Sequence, residues 1–511
     1  MLMNTKTQQT FGTGAILLFA AGLRIFSLGK QSLFLDEAWS WAASRLSFFE
    51  MLRLSVSEPH PPLYYLLLKF TLIVLPSSEA GLRLLSTLLS IGSLAVVLVY
   101  VGSRWNVETM LYVGVLMSLS PFDIYYAQEA RMYTLLGFLL VCSYVSLLLA
   151  LEGRRMYLFL WPLTTILMVW THAYGILFAG TSILFLSGYL FLVHLRKLEP
   201  QHSLDSRMLI GGTMCIVLGI LPFLANLLTQ SLQGVGGTWL ATPKDILVLF
   251  LLWASGFAPV REYFLDSTHL VLPAMADISM LTWAAIGMAV SGFPAAWGMY
   301  RTWRKKSRYR LDVLLALMLI LLPVALVFIW GTLTKQRIWA FKSFLGPAYL
   351  FYLWAGIGIG SLKFPWLRRG LGLAIVIVAV MSLWPYFTVW QKSNAASAFQ
   401  ALPELSSQDG LIIEPSYIEP LVFYYLDQTV PAYAILTENG KQKFVFQILH
   451  SDQQILGPRQ EIPCKELSAL SNFYVYDISS QNREILKSWP ACMLKKQLWN
   501  FQHNQWRPLN P

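Results

Sequence analysis

Long apolar stretches broken by short polar ones dominate the chain up to about residue 390. They fall at Phe11–Leu28, Leu82–Gly102, Thr109–Ser120, Tyr133–Leu151, Tyr157–Trp170, Gly175–Leu195, Leu209–Leu228, Ile278–Met299, Leu311–Trp330, Phe344–Ser361 and Gly370–Tyr386. Most approach the ~20 residues that a helix needs to cross a bilayer, so the pattern predicts about eleven spans. A further run, Leu63 to Leu75, is too short for a crossing and reads as re-entrant or juxtamembrane. After residue 390 the pattern changes. Asp409–Glu414, Ala432–Thr437, Phe444–Leu449 and Phe473–Ile478 read as strands, and Glu419–Leu426 and Gln481–Lys487 as helices. The expected fold is thus a polytopic α-helical membrane protein, residues 1–390, followed by a small soluble α/β domain, residues 391–511.

Composition agrees with the pattern. Of 511 residues, 56% are hydrophobic and only 13% charged, a balance outside the range of soluble domains. The formal charge of +11 does not point to nucleic acid, because the basic residues sit between apolar runs. If Leu63–Leu75 does not cross and the amino terminus is cytoplasmic, one set of alternate loops carries Arg104, Arg154 and Arg155, Arg196 through Arg207, Arg301 through Arg310, and Lys363 through Arg369. That is the positive-inside pattern. Letting Leu63–Leu75 cross would turn every one of these loops outward. Phe11–Leu28 lacks a small-residue cleavage site and reads as a retained first span. Cys142 and Cys215 lie in apolar runs and read as packing residues; Cys464 and Cys492 lie in the polar tail and could bridge if it is extracytoplasmic.

The same assignment places Lys30–Leu82, Pro121–Met132, Thr171–Tyr174, Thr229–Asp277 and Gly331–Lys342 outside, together with the tail. The unusual polar residues are concentrated there. Asp36 and Glu37 follow the first span, and acids against a bilayer are functional candidates. The plain alternative is that Asp36 caps the helix beginning at Glu37. Adjacent helical residues diverge by about 100°, so the two acids do not form a proton-sharing dyad. One acid facing a substrate while its neighbour holds the loop is the better reading. His60 precedes Pro61, Pro62 and Tyr64, and orients a substrate, binds a metal or is a hydrogen-bonded interfacial histidine. Asp123, Glu129, Arg131 and Tyr133 crowd the second outside segment. An arginine there could hold a phosphate through two N–H groups, or simply cap the following helix. His172 stands at an outside turn. Lys335, Arg337 and Lys342 place cations on the side where the charge rule disfavours them, which calls for an anionic partner or for snorkelling to headgroups.

The Asp36-Glu37 pair, the His60-Pro61-Pro62-Leu63-Tyr64 run and the stretch from Ser120-Pro121 to Gln128-Glu129-Ala130-Arg131-Met132-Tyr133 together resemble the bacterial family 39-like membrane glycosyltransferases of the GT-C superfamily. Protein O-mannosyltransferases and the lipid A aminoarabinose transferase belong to the same superfamily. The resemblance covers Phe11 to Tyr386. It implies an inner-membrane enzyme that takes a sugar from a polyprenyl-phosphate donor and inverts the anomeric carbon in one displacement on the extracytoplasmic face. It implies catalytic roles for Asp36, Glu37 and Glu129, with Asp36 as the base or the acid that orients the acceptor. His60, Tyr64, Arg131, Tyr133, His172, Lys335, Arg337 and Lys342 would bind substrate. No definite cofactor is implied, and a divalent metal ion, held by Asp36 and Glu129, is left open. The acceptor, whether lipid, glycan or protein, is left open. The rivals are a transporter or flippase of lipid-linked saccharides, which would need ionisable mid-span residues and pseudo-symmetric halves, and a ligase that moves a whole glycan.

Overall fold

The computed structural model describes residues 5–57, 60–195, 206–232, 240–256, 280–305, 309–388, 395–405, 409–414, 419–426, 432–438, 441–448, 459–461, 472–477, 497–502 and 505–509. The helices that organise it are α1 (Thr5–Ile25), α2 (Leu35–Arg45), α3 (Phe48–Ser57), α4 (Leu63–Val74), α5 (Glu79–Gly102), α6 (Val107–Leu119), α7 (Pro121–Ala127), α8 (Tyr133–Leu151), α9 (Tyr157–Val169), α10 (Tyr174–His194), α11 (Ser206–Leu232) and α12 (Pro243–Ser255). Then come α13 (Met280–Gly287), a π-turn over Met288–Gly292, α14 (Phe293–Lys305), α15 (Arg310–Thr334), α16 (Leu345–Gly360) and α17 (Pro365–Thr388).

Among the described residues seven helices are long and apolar enough to cross a membrane, or eight if α6 and α7, bent by 56° at their junction, form one span. The expected count of eleven is therefore not carried by these helices alone. The Tyr157–Trp170 run forms a helix of 13 residues, the Ile278–Met299 run is broken by the π-turn, and α1 begins with polar residues. The run from Leu63 forms a helix of only 12 residues. Its start is fixed where Pro61-Pro62 ends and the Leu63 N–H donates to the Trp170 carbonyl, 3.1 Å away. The α6–α7 bend has a local cause. Ser120 is extended, its hydroxyl accepts the Asp123 N–H at 3.2 Å, and Pro121 opens the new helix.

The hydrophobic centre is α16, in which every residue is buried; it packs on α6, α8 and α14. Small residues permit the close approach: a Cβ on Gly358 would overlap the Pro294 carbonyl of α14. Cys142 is half-buried, but Cys215 is exposed on α11, so the packing role expected for it is not met within the chain.

Residues 409–509 form a seven-stranded sheet from β1 (Asp409–Glu414), β2 (Ala432–Glu438), β3 (Lys441–Ile448), β4 (Arg459–Glu461), β5 (Asn472–Asp477), β6 (Gln497–Gln502) and β7 (Gln505–Leu509), in the order β4-β3-β2-β1-β5-β6-β7. The β1–β2, β1–β5 and β5–β6 pairs are parallel; the others are antiparallel. Strands β4, β6 and β7 were not expected from the alternation of their residues. The helix Glu419–Tyr425 rests on α2, with the Tyr424 ring edge-on to Trp41 at 5.3 Å. Tyr425 accepts the Leu33 N–H at 2.7 Å and donates to Glu79 at 3.0 Å. Cys464, Cys492 and the Gln481–Lys487 segment lie outside the described residues, as does much of the Thr229–Asp277 loop.

Candidate active site

Two acids adjacent in sequence take opposite tasks. Glu37 is fully buried. Its carboxylate receives Arg83 through two bonds, Nε to Oε1 at 2.7 Å and Nη2 to Oε2 at 2.9 Å. It also accepts the Phe34 N–H at 2.9 Å and the Ala130 N–H at 3.0 Å. Capping of α2 thus falls to Glu37, in the third position of the helix, and not to Asp36. Glu37 ties α2, the start of α5 and the second outside segment together. With that many partners and no open surface it is placed to hold the backbone, whereas the catalytic role expected for it would need an open face.

Asp36 faces the other way, and 31% of its side chain is open. Its Oδ2 accepts from Lys342 Nζ at 2.9 Å and lies 3.8 Å from Arg131 Nε. Arg131 is held from several sides. Its Nη1 donates to the Asp36 carbonyl at 3.2 Å and contacts Ser40 Oγ at 3.4 Å, while Nη2 meets His60 Nε2 at 3.2 Å. A guanidinium can only donate, so His60 Nε2 accepts and the ring proton sits on Nδ1. The His60 ring is 5.5 Å from that of His172, whose Nδ1 accepts the Tyr174 N–H at 3.1 Å. Tyr133 presents its ring face to Lys342 Nζ at 5.0 Å and to the Arg131 guanidinium at 5.9 Å.

The electrostatics follow from this crowding. Burial raises the Asp36 carboxyl, but Lys342 and then Arg131 outweigh it and hold the group well below the usual carboxylate range. Burial, then Arg131 and His172, keep His60 well below its ordinary value. Burial, with Arg131 and Lys342 adding to it, brings His172 down to about 3. Both histidines are neutral at pH 7, and the net charge of the group is positive.

Each of these residues stands at a helix start: Asp36 in the first turn of α2, His60 just before α4, Arg131 and Tyr133 opening α8, His172 before α10, and Lys342 in the 3-10 turn Phe341–Phe344 that leads into α16. Helix amino termini carry positive partial charge, so the backbone adds to the anion preference of the side chains. The donor set disfavours a divalent cation. Lys342 and Arg131 lie against Asp36, and among the described residues no three His, Cys, Asp or Glu side chains converge.

Of the expected site residues, the structure brings together Asp36, His60, Arg131, Tyr133, His172 and Lys342. Glu129 is close by but buried, with its carbonyl accepting the Arg131 N–H at 2.8 Å. Tyr64 is fully buried and bonded to Ser86 Oγ at 2.8 Å, behind the Arg131 backbone, so it supports the site and cannot touch a substrate. Lys335 and Arg337 are exposed and make no ion pair among the described residues; the structure does not draw them to Asp36. Sequence reasoning missed Arg83, which anchors Glu37. It also missed Arg24, which pairs with buried Asp123, itself held by Ser90 at 2.8 Å and Tyr349 at 2.6 Å. A lone arginine inside an apolar run is the signal that could have found both.

A bundle of this kind, with seven or eight of its described helices long and apolar enough to cross a bilayer, is that of an integral membrane protein, and its fold is shared with solved structures. Two solved structures carry the likeness, both of ArnT from Cupriavidus metallidurans. The apo state has a TM-score of 0.51 at 14% identity and covers 84% of this chain and 93% of that one. The form bound to undecaprenyl phosphate has the same score and identity and covers 87% and 99%. No family model matches the chain, nor does any curated protein sequence. The expected likeness is therefore met at the level of the fold alone.

Proposed function

We propose that the chain is a membrane glycosyltransferase that moves a sugar from a polyprenyl-phosphate carrier to an acceptor hydroxyl on the extracytoplasmic side, with the amino terminus in the cytoplasm. The observation that carries the reading is the Asp36–Lys342–Arg131 group in a fold shared with a protein solved with undecaprenyl phosphate. An acid beside two cations offers a base for the acceptor and positive charge for the leaving phosphate. Asp36 takes the acceptor proton as the new C–O bond forms; the bond between that carbon and the phosphate oxygen breaks from the opposite face. The carrier leaves as polyprenyl phosphate, and cations at that oxygen lower the barrier.

As it stands Asp36 is a weak base, because Lys342 and Arg131 stabilise its ionised form. A donor phosphate competes for the same two cations. Once they turn to it, Asp36 loses its counter-ions and becomes more basic when the acceptor arrives. The two roles are thus linked through shared partners.

The test uses purified protein, both in detergent and reconstituted into vesicles, and a polyprenyl-phosphate sugar labelled in the sugar. Release of unlabelled carrier with label on a new product supports transfer. A labelled donor that is bound and moved across vesicles with its sugar–phosphate bond intact sinks the reading in favour of a transporter.

A further inference from the structure

A second polar cleft lies at the other end of the bundle. Helix α5 starts beside Glu37 and ends at Gly102; α16 starts beside Lys342 and ends at Gly360. At 1.5 Å per residue these helices are roughly 36 and 24 Å long, so their far ends are remote from Asp36. There, Arg104, Arg301, Lys305, Lys363 and Arg368 line a cavity of about 490 Å³, and no carboxylate lines it.

Two of the five cations are already matched: Arg368 pairs with Glu108 at 3.1 Å, and Arg104 with Glu152 at 2.5 Å. Three are not. Arg301, Lys305 and Lys363 make no ion pair among the described residues, and Arg301 Nη1 is buried without a hydrogen-bond partner. A buried guanidinium N–H with no acceptor is costly, and crowded like charges add to the cost. The contact of α14 with α16 fixes this arrangement, since a Cβ on Gly298 would overlap the Trp354 carbonyl. Phosphate is the anion whose oxygens suit a guanidinium fork together with two mobile ammonium groups.

The setting indicates how that phosphate arrives. The cleft is walled by the start of α6, the ends of α14 and α16, the start of α17 and the turns that follow α5 and α16, all parts of the apolar bundle. Phe364 and Trp366 stand exposed beside it with their rings 6.2 Å apart, the placement of aromatic side chains at headgroup depth. We propose that this cleft binds the phosphate headgroup of an anionic lipid, on the membrane face opposite the Asp36 site. It is separate from the transfer chemistry and does not depend on it.

Native mass spectrometry of the purified protein, titrated with phosphatidylglycerol and with phosphatidylcholine as the zwitterionic control, tests this. Pyrophosphate added as competitor is the soluble arm. The expected result is one saturable phosphatidylglycerol that phosphatidylcholine does not replace. Lys305→Ala and Lys363→Ala, both at exposed positions where folding is not at risk, should each weaken it about fivefold. Arg301→Gln should weaken it at least as much, and Lys335→Ala, at the far end, not at all. Wild-type affinity in all three cleft variants overturns the proposal. Pyrophosphate binding that excludes the lipid at equal concentration overturns the lipid assignment and leaves a site for soluble phosphate.

Discussion

Replacing Lys342 by Met removes one charge and keeps most of the length of the side chain. Its effect on stability and its effect on transfer should differ widely. The Lys342–Asp36 contact is 2.9 Å, but the two side chains are 27% and 31% exposed. A charge-assisted hydrogen bond contributes about 1.5–3 kcal/mol when well buried, and water screens this one, so the stability loss should be about 1–2 kcal/mol. In a chain of this size that lowers the melting midpoint by no more than a few degrees. A cation that stabilises charge on a departing phosphate contributes more, about 2.7–4 kcal/mol, or roughly 100- to 1000-fold in rate. The measurement is kcat/KM for a labelled polyprenyl-phosphate sugar in detergent, alongside the melting midpoint of the same sample. Lys342→Arg should recover part of the rate. If Lys342→Met turns over the donor within threefold of the unmodified protein, Lys342 is a structural partner of Asp36, and the linkage between phosphate and base fails with it.

Three further outcomes follow from the geometry. Asp36→Asn should abolish transfer yet leave insertion intact and lower the melting midpoint by no more than a few degrees, as Lys342→Met does, because the same partly open pair is lost; a fully active variant removes it from the mechanism. Arg83→Leu strands the buried Glu37 carboxylate and should cost about 3–5 kcal/mol, read as lost yield of monodisperse protein; normal yield and melting contradict the anchoring role. Acid should destabilise the fold well before the carboxylates titrate. His172 stays neutral when folded down to about 3, against 6.5 when unfolded. The unfolded chain therefore binds more protons below pH 6.5, and stability falls as pH drops, by about 2 kcal/mol at pH 5. His60 adds to this in the same direction. His172→Gln should flatten the fall of the melting midpoint between pH 7.5 and 5, and an unchanged slope would count against it.

Much of the candidate site was legible because charge parity along the chain put its parts on one side before any contact was known. Asp36, His60, Arg131, His172 and Lys342 lie in four separate polar segments, and the alternation of basic loops groups those segments together. Which cations reach the acid was not legible. Lys335, Arg337 and Lys342 look alike in sequence, yet only Lys342 lies between Trp339 and Phe344, whose rings, 5.4 Å apart, are buried in the core. Lys335, with a left-handed backbone at φ 58°, ends α15 and stays at the surface. The division of labour between Asp36 and Glu37 was half legible: adjacency on a helix separates them, but only the buried Arg83 decides which one turns inward. Strands β4 and β7 escaped as short edge segments, and β6, paired on both sides, escaped because Leu498 and Trp499 stand side by side and break the alternation.

The order of rigidity across the site bears on how it could work. Lys342 projects from the turn before α16, the most deeply buried helix, and Tyr174 locks that turn by donating to the Ile338 carbonyl at 2.6 Å. Asp36 is fixed through its neighbour, since Glu37 holds the α2 backbone to Arg83, Phe34 and Ala130. Arg131 is fixed by the Asp36 carbonyl and His60. With backbones this constrained, an arriving phosphate need not rebuild the site. Under the proposed function it exchanges one anion for another within reach of side chains already in place, so little ordering entropy would be lost at the moment of reaction. Neutral histidines fit this scheme better than charged ones. A protonated His60 could no longer accept from Arg131, and the guanidinium that must turn between carboxylate and phosphate would lose the contact that aims it.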